Sequence, residues 1–262
     1  MTTVRIERDG AVATIWLDRE AKRNALDGAT MTGVAAALDE LAEDVETRVV
    51  VLRGRGPVFS SGIDHALLLE VMQKAQRVPF LHVHRQLQEV FHRMARLAKP
   101  VIAALHGICA GMALELALAA DIRIATPECV LGLPEIAFGI VPDVGGTTRL
   151  IRAVGEPRAR ELILTGRLVR GKTAERYGLV HDVVEASALD AAVSSRAALL
   201  AAHSPTALGL AKTLCQLSAD ASSASSFQIE GVVQQVLLGQ PDVAQRFTTA
   251  LAFIKAQIAA AE

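Results

Sequence analysis

The stretch from Lys99 to Asp143, KPVIAALHGICAGMALELALAADIRIATPECVLGLPEIAFGIVPD, constrains this chain more than any other. Val101–Leu105 is an unbroken apolar run of strand length, followed by a turn that carries Gly107 and Gly111. The spacing then predicts a short, almost wholly apolar helix over about Met112–Ala120, with one carboxylate, Glu115. A second strand is expected at Ile122–Ala125, and the chain then passes Pro127, Gly132 and Pro134 to Glu135 and, after Pro142, to Asp143. Carboxylates among apolar neighbours are costly to bury and need a reason to be there.

With 262 residues, 51% of them hydrophobic, and a mean hydropathy of +0.33, the chain is apolar for a soluble monomer. Buried sheets and subunit interfaces would use that surplus. A net charge of −1 gives no global electrostatic case for nucleic acid. Cys109, Cys129 and Cys215 are odd in number and far apart. They form neither a metal box nor a disulfide framework, which favours a reducing, cytoplasmic setting. The histidines share no metal spacing. Val101–Ala120 has membrane length, but His106, Gly107, Gly111 and Glu115 interrupt it, so it reads as a buried strand–turn–helix and no membrane partner is expected.

Taken in order, Val4–Glu7 and Val12–Leu17 form a hairpin around Asp9-Gly10, and Asp27 caps a helix running to about Leu41. Arg48–Leu52 is a fully apolar strand, parallel and covered on both faces. Ala66–Leu97 is helical with a break near Pro79, and Gly145-Gly146 opens a helix over Thr147–Val154. Alternation of strands and helices gives way to helices alone near residues 190–200. The expected organisation is an α/β core, 1–198, and a helical C-terminal region, 199–262.

Several segments, in order and spacing over essentially the whole chain, resemble the enoyl-CoA hydratase/isomerase (crotonase) superfamily. Arg19 and Asn24-Ala25-Leu26 look like its early loop, and Phe59-Ser60-Ser61-Gly62-Ile63-Asp64 like its first oxyanion loop. Lys99–Ala104 through Asp121 look like the second oxyanion segment, and Pro134-Glu135-Ile136 with Gly139–Pro142 through Gly145-Gly146-Thr147 like the acid/base loop. The resemblance implies a spiral of β-β-α repeats with a C-terminal helical trimerisation region, a homotrimer or dimer of trimers. It also implies an acyl-CoA thioester substrate, with coenzyme A as part of the substrate and no separate cofactor or metal.

By the same resemblance, the N–H groups of Ile63 and Met112 stabilise the thioester oxyanion. Glu115 helps activate water toward C3, and Glu135 exchanges the proton at C2. Substrate and CoA contacts fall to Lys22, Arg23, Ser61, Gly62, Asp64, Gly111, Pro134, Gly145 and Lys255, with Leu237 near an aromatic position of the family. The favoured reaction is reversible syn addition of water to a trans-2-enoyl-CoA. Two departures keep alternatives open. Asp143 replaces a usual glycine and resembles the aspartate of dienoyl-CoA isomerases; its ordinary role would be to cap the helix after Gly145-Gly146. Met112-Ala113 replaces usual glycines and adds a side chain expected close to the thioester, so a non-catalytic acyl-CoA binder is the third reading. Ordinary roles for the glutamates are an ion pair of Glu115 with Arg123 and a loop cap for Glu135.

Gly166–Thr173 fits the phosphate-loop pattern, but that motif must follow a strand and open a helix. A helix is expected before it, so the match is read as chance.

Overall fold

The apolar run around Val50 lies in the middle of a six-stranded sheet, in a computed structural model that describes residues 2–77 and 79–261. In spatial order its strands are β1 (Val4–Asp9), β2 (Val12–Leu17), β3 (Val49–Gly54), β4 (Val101–Leu105), β6 (Ile122–Ala125) and β9 (Asp182–Val183). Only the β1–β2 hairpin is antiparallel. A smaller sheet orders β5 (Ile108–Ala110), β7 (Val130–Gly132) and β8 (Val169–Arg170).

Alternate residues of the central strands enter two different cores, as the two-residue strand period demands. Val50, Leu52, Val101, Ala103 and Leu105 pack with α1 (Gly28–Glu43), α3 (Phe80–Arg96) and α4 (Met112–Leu118) through Val34, Leu38, Phe91, Met94 and Leu114. Val49, Val51, Ile102, Ala104 and Ile124 pack with Leu189, Val193 and Ala197 of α8 (Leu189–Ala201). A parallel sheet covered on both faces needs such continuous apolar strands.

The remaining helices of the first unit are α2 (His65–Ala75), α5 (Gly146–Val154), α6 (Glu156–Thr165) and α7 (Gly171–Arg176). Asp27 caps α1 by accepting from Thr30 N at 2.8 Å. The chain divides at residue 204: residues 1–203 form one compact unit, and 204–262 form another that holds α9 (Pro205–Ser218), α10 (Ser223–Leu238) and α11 (Val243–Ala261). Among the described residues, no helix is long and apolar enough to cross a membrane.

The phosphate-loop match fails on local structure. Gly166 ends α6 in the left-handed conformation, β8 lies inside the motif, and a Cβ on Gly171 would stand 2.2 Å from the Thr126 carbonyl oxygen. The loop is packed on backbone where a phosphate would have to sit, and it opens only the six-residue α7.

Candidate active site

Two loops bring unused backbone amides together. Residues 59–60 run beside β5, with Phe59 N donating to His106 O (2.9 Å) and Ser60 N to Ile108 O (3.0 Å). Gly62 follows at φ +96°, and a Cβ there would lie 2.6 Å from Ala110 O and 3.7 Å from Met112 N. Gly111, at φ +57°, turns the chain into α4, and a Cβ there would lie 3.1 Å from Glu135 Oε1. Both positions require glycine, because that backbone region is strained for other residues and the neighbouring atoms leave no room. Neither Ile63 N–H nor Met112 N–H donates within the protein among the described hydrogen bonds. Met112 opens α4, where free N–H groups and the helix dipole favour an anion. Its side chain is 5% exposed and part of the main core.

The early loop fastens the first of these loops. Arg19 donates to Ala25 O (2.7 Å) and Asp64 Oδ2 (2.9 Å) and pairs with Asp27 (3.3 Å). Asp64 also caps α2 through Ala66 N, so both its oxygens are engaged within the protein and its observed work is to hold the loop. Ser61 N donates to Arg23 O (3.0 Å) and Leu26 N to Gly62 O (2.8 Å), which brings the exposed Lys22 and Arg23 turn against Ser61 and Gly62. Asn24, buried at φ 53°, accepts from Arg19 N and donates to Arg55 O and Val58 O. Asn24→Ala removes the partner of the buried Val58 carbonyl, at about 1–3 kcal/mol, and of the part-buried Arg19 N and Arg55 O. A fall of at least that size in unfolding free energy is expected in urea titration.

Glu115 is 2% exposed on α4, and its Oε2 accepts from Gly146 N (2.6 Å) and Val144 N (3.1 Å). Burial, reinforced by the charge of Glu135, pushes it up to about 8 against the pull of the two amides. Glu135 opens a 3-10 turn over residues 135–138; its Oε2 is buried with no hydrogen-bond partner among the described residues. Burial, with Asp143 adding to it, raises Glu135 as well. Asp143 is raised by its own burial, which the nearby His84 opposes. His84 Nε2 stands 3.6 Å from Asp143 Oδ2, and both it (2.6 Å) and Gln88 Nε2 (2.8 Å) donate to the Asp143 carbonyl.

Three ordinary roles expected from sequence are not what the structure holds. Asp143 does not cap α5: the cap residue is Gly145, without a side-chain bond, and the helix N-terminus is filled by Glu115. Arg123 does not pair with Glu115; it donates to Leu179 O and Ala120 O. Glu135 makes no cap bond. Pro134 and Gly145 flank the carboxylates, whereas Lys255 is an exposed residue of α11 in the second unit. Leu237 lines a groove between α9 and α10 with Leu214 and Phe227. Sequence motifs leave Arg149 unmarked, yet it donates to Val144 O (3.1 Å), and it feels the charge of Glu115. A cation three residues into the helix after Gly145-Gly146 is the available signal. Among the described residues, no three His, Cys, Asp or Glu side chains stand as a metal-holding group.

Paired buried carboxylates beside two free amides define a protein suited to moving protons next to an activated carbonyl oxygen. The family model for enoyl-CoA hydratase/isomerase matches residues 7–249. The short-chain-enoyl-CoA hydratase of Clostridium acetobutylicum is 33% identical over 234 residues, 88% of each chain. A solved enoyl-CoA hydratase from Bacillus anthracis superposes with a TM-score of 0.89 at 31% identity, covering 95% of this chain and 96% of that one. A Thermobifida fusca putative enoyl-CoA hydratase solved with CoA gives 0.79 at 33% identity, covering 90% and 93%. The chain belongs to the enoyl-CoA hydratase/isomerase family and has the crotonase fold of its enzymes.

Proposed function

We propose that the protein hydrates trans-2-enoyl-CoA thioesters, with Glu115 and Glu135 as its acid/base pair and the Ile63 and Met112 amides as its oxyanion hole. The buried, unpartnered Oε2 of Glu135, whose other oxygen faces the Gly111 turn, carries this reading, since such an atom is costly unless a ligand or water satisfies it. Water bound between the carboxylates adds its oxygen to C3 and yields a proton to Glu115. Glu135 delivers a proton to C2, and the charge gathered on the thioester oxygen meets the two amides. The pair begins and ends with one proton, which rests on Glu115 before substrate binds and passes through the bound water to Glu135 before addition. Burial and mutual repulsion favour that single-proton state at neutral pH. The substrate's CoA moiety is assigned to the Lys22–Arg23 turn with Ser61 and Gly62, and Lys255 remains a candidate from the helical unit.

Purified protein should lower the ultraviolet absorbance of crotonyl-CoA or a longer enoyl-CoA to an equilibrium value and form a 3-hydroxyacyl-CoA by mass. Saturable binding with no product would instead mean an acyl-CoA binder. As pH rises past about 8, where Glu115 gives up its proton, the pair becomes doubly ionised and kcat/KM should fall. An activity still rising at pH 9 would exclude a shared proton.

The second reading is isomerisation of an enoyl- or dienoyl-CoA through Glu135 and Asp143. It is favoured by one observation: Asp143 makes no helix cap and its charge is felt at Glu135. Turnover of a 3,5-dienoyl-CoA that Asp143→Asn abolishes would select it. We also place the chain in a homotrimer or dimer of trimers, supported by exposed apolar residues on the second unit, Phe227, Val232, Leu238 and Phe247 among them. Sedimentation equilibrium tests this. A cytoplasmic location is part of the same proposal and rests on three cysteines held as free thiols.

A further inference from the structure

We propose that His84 and Gln88 are positioning residues for Glu115, acting through the backbone of the Asp143 turn. They lie four residues apart on α3, hence on one helix face, and both donate to the same carbonyl oxygen, that of Asp143, at 2.6 and 2.8 Å. A carbonyl only accepts, so His84 Nε2 carries the hydrogen, whatever the charge of the ring. The contacts span 59 and 55 residues of sequence, so no local turn geometry supplies them. Val144 and Gly146, directly beyond that carbonyl, give the two N–H groups that hold Glu115 Oε2 at 3.1 and 2.6 Å. Two side chains of α3 thus anchor the peptide that aims the acid/base carboxylate.

The steric frame around this turn is tight on its far side. A Cβ on Gly146 would lie 2.5 Å from Glu115 Oε2, and one on Gly145 would lie 2.0 Å from Arg149 Nη1. The Asp143 carbonyl and the Val144 amide belong to one planar peptide, so a shift of that carbonyl moves the amide that holds Glu115. Charged and titratable groups around Glu115 are Glu135 and Asp143 from the loop and Arg149 from α5, with His84 and His92 on α3 behind them.

The inference rests on Glu115 as an acid/base group, so its test includes a readout that needs no turnover. The protonation midpoint of Glu115 can be followed by the infrared carboxyl band, identified by difference against Glu115→Gln. In the double variant His84→Leu/Gln88→Leu, loss of the amide bonds to the anion should raise that midpoint and carry the alkaline limb of kcat upward with it. The same variant should lower kcat by up to about 100-fold, the effect of a displacement near 1 Å, with KM little changed. His84→Gln keeps an N–H donor and should restore both. A double variant with wild-type midpoint and wild-type kcat would overturn the proposal, as would one whose only change is a lower melting temperature. If the wild type hydrates no enoyl-CoA, the proposed reaction fails while the midpoint still decides whether the clamp sets Glu115.

Discussion

Glu115→Gln should lower enoyl-CoA hydration by about 10²- to 10⁴-fold, the usual worth of a positioned acid/base group. The amide is isosteric, and its oxygen can still accept from Val144 N and Gly146 N, so binding of an acyl-CoA should survive while kcat collapses. The same substitution should change how stability depends on pH. Glu115 ionises near 4.5 when unfolded and near 8 when folded, so between those values the native state holds a proton that the unfolded chain has released. Stability conferred below about pH 4.5 is therefore lost progressively as pH rises to about 8. A glutamine at this position has no such slope. Denaturant unfolding at pH 5 and pH 9 should show the variant losing less stability than the wild type between the two. Parallel losses would mean that Glu115 is ionised in the native state throughout. A group retained at the expense of stability is what an acid/base role requires.

Gly62→Ala should disable the protein at the other end of the reaction. At φ +96° an alanine is strained by about 1–2 kcal/mol, and its Cβ would stand 2.6 Å from the Ala110 carbonyl oxygen, which belongs to backbone and cannot swing aside. Relief requires the 60–64 loop to part from the β5–α4 turn, which separates the Ile63 amide from the Met112 amide. Loss of one oxyanion donor costs about 10²- to 10³-fold in kcat. The expected result is a correctly folded protein of reduced melting temperature with at most about 1% of wild-type turnover. Near-wild-type kcat in a folded variant would remove Ile63 N–H from the mechanism.

Much of this architecture was legible in residue order. The apolar runs at Val49–Leu52 and Val101–Leu105 are parallel strands buried on both faces, as their lack of alternation requires. The helix break at Pro79, the Asp27 cap and the helix opened by Gly145-Gly146 are local events, set by residues within one turn of each other. Gly62 and Gly111 were singled out by the resemblance, and both take a positive φ that other residues adopt only under strain.

Pairings across long separations were not legible. Asp143 lies beside Gly145-Gly146 and by proximity is the natural cap, yet the helix N-terminus is taken by Glu115, which comes from another helix. Arg123, near Glu115 in sequence, turns instead to Leu179 O. Met112 enters the core because α4 is wrapped by apolar neighbours, a matter of packing that one residue's chemistry does not reveal. The sequence by itself determined the long strands and helices, the tight turns and the set of carboxylates, though not the short strands of the second sheet, because periodicity and backbone sterics act over a few residues. Only the tertiary structure decided which amides meet which carboxylate, and that two α3 side chains grip the turn between them, because those contacts depend on how separate elements dock.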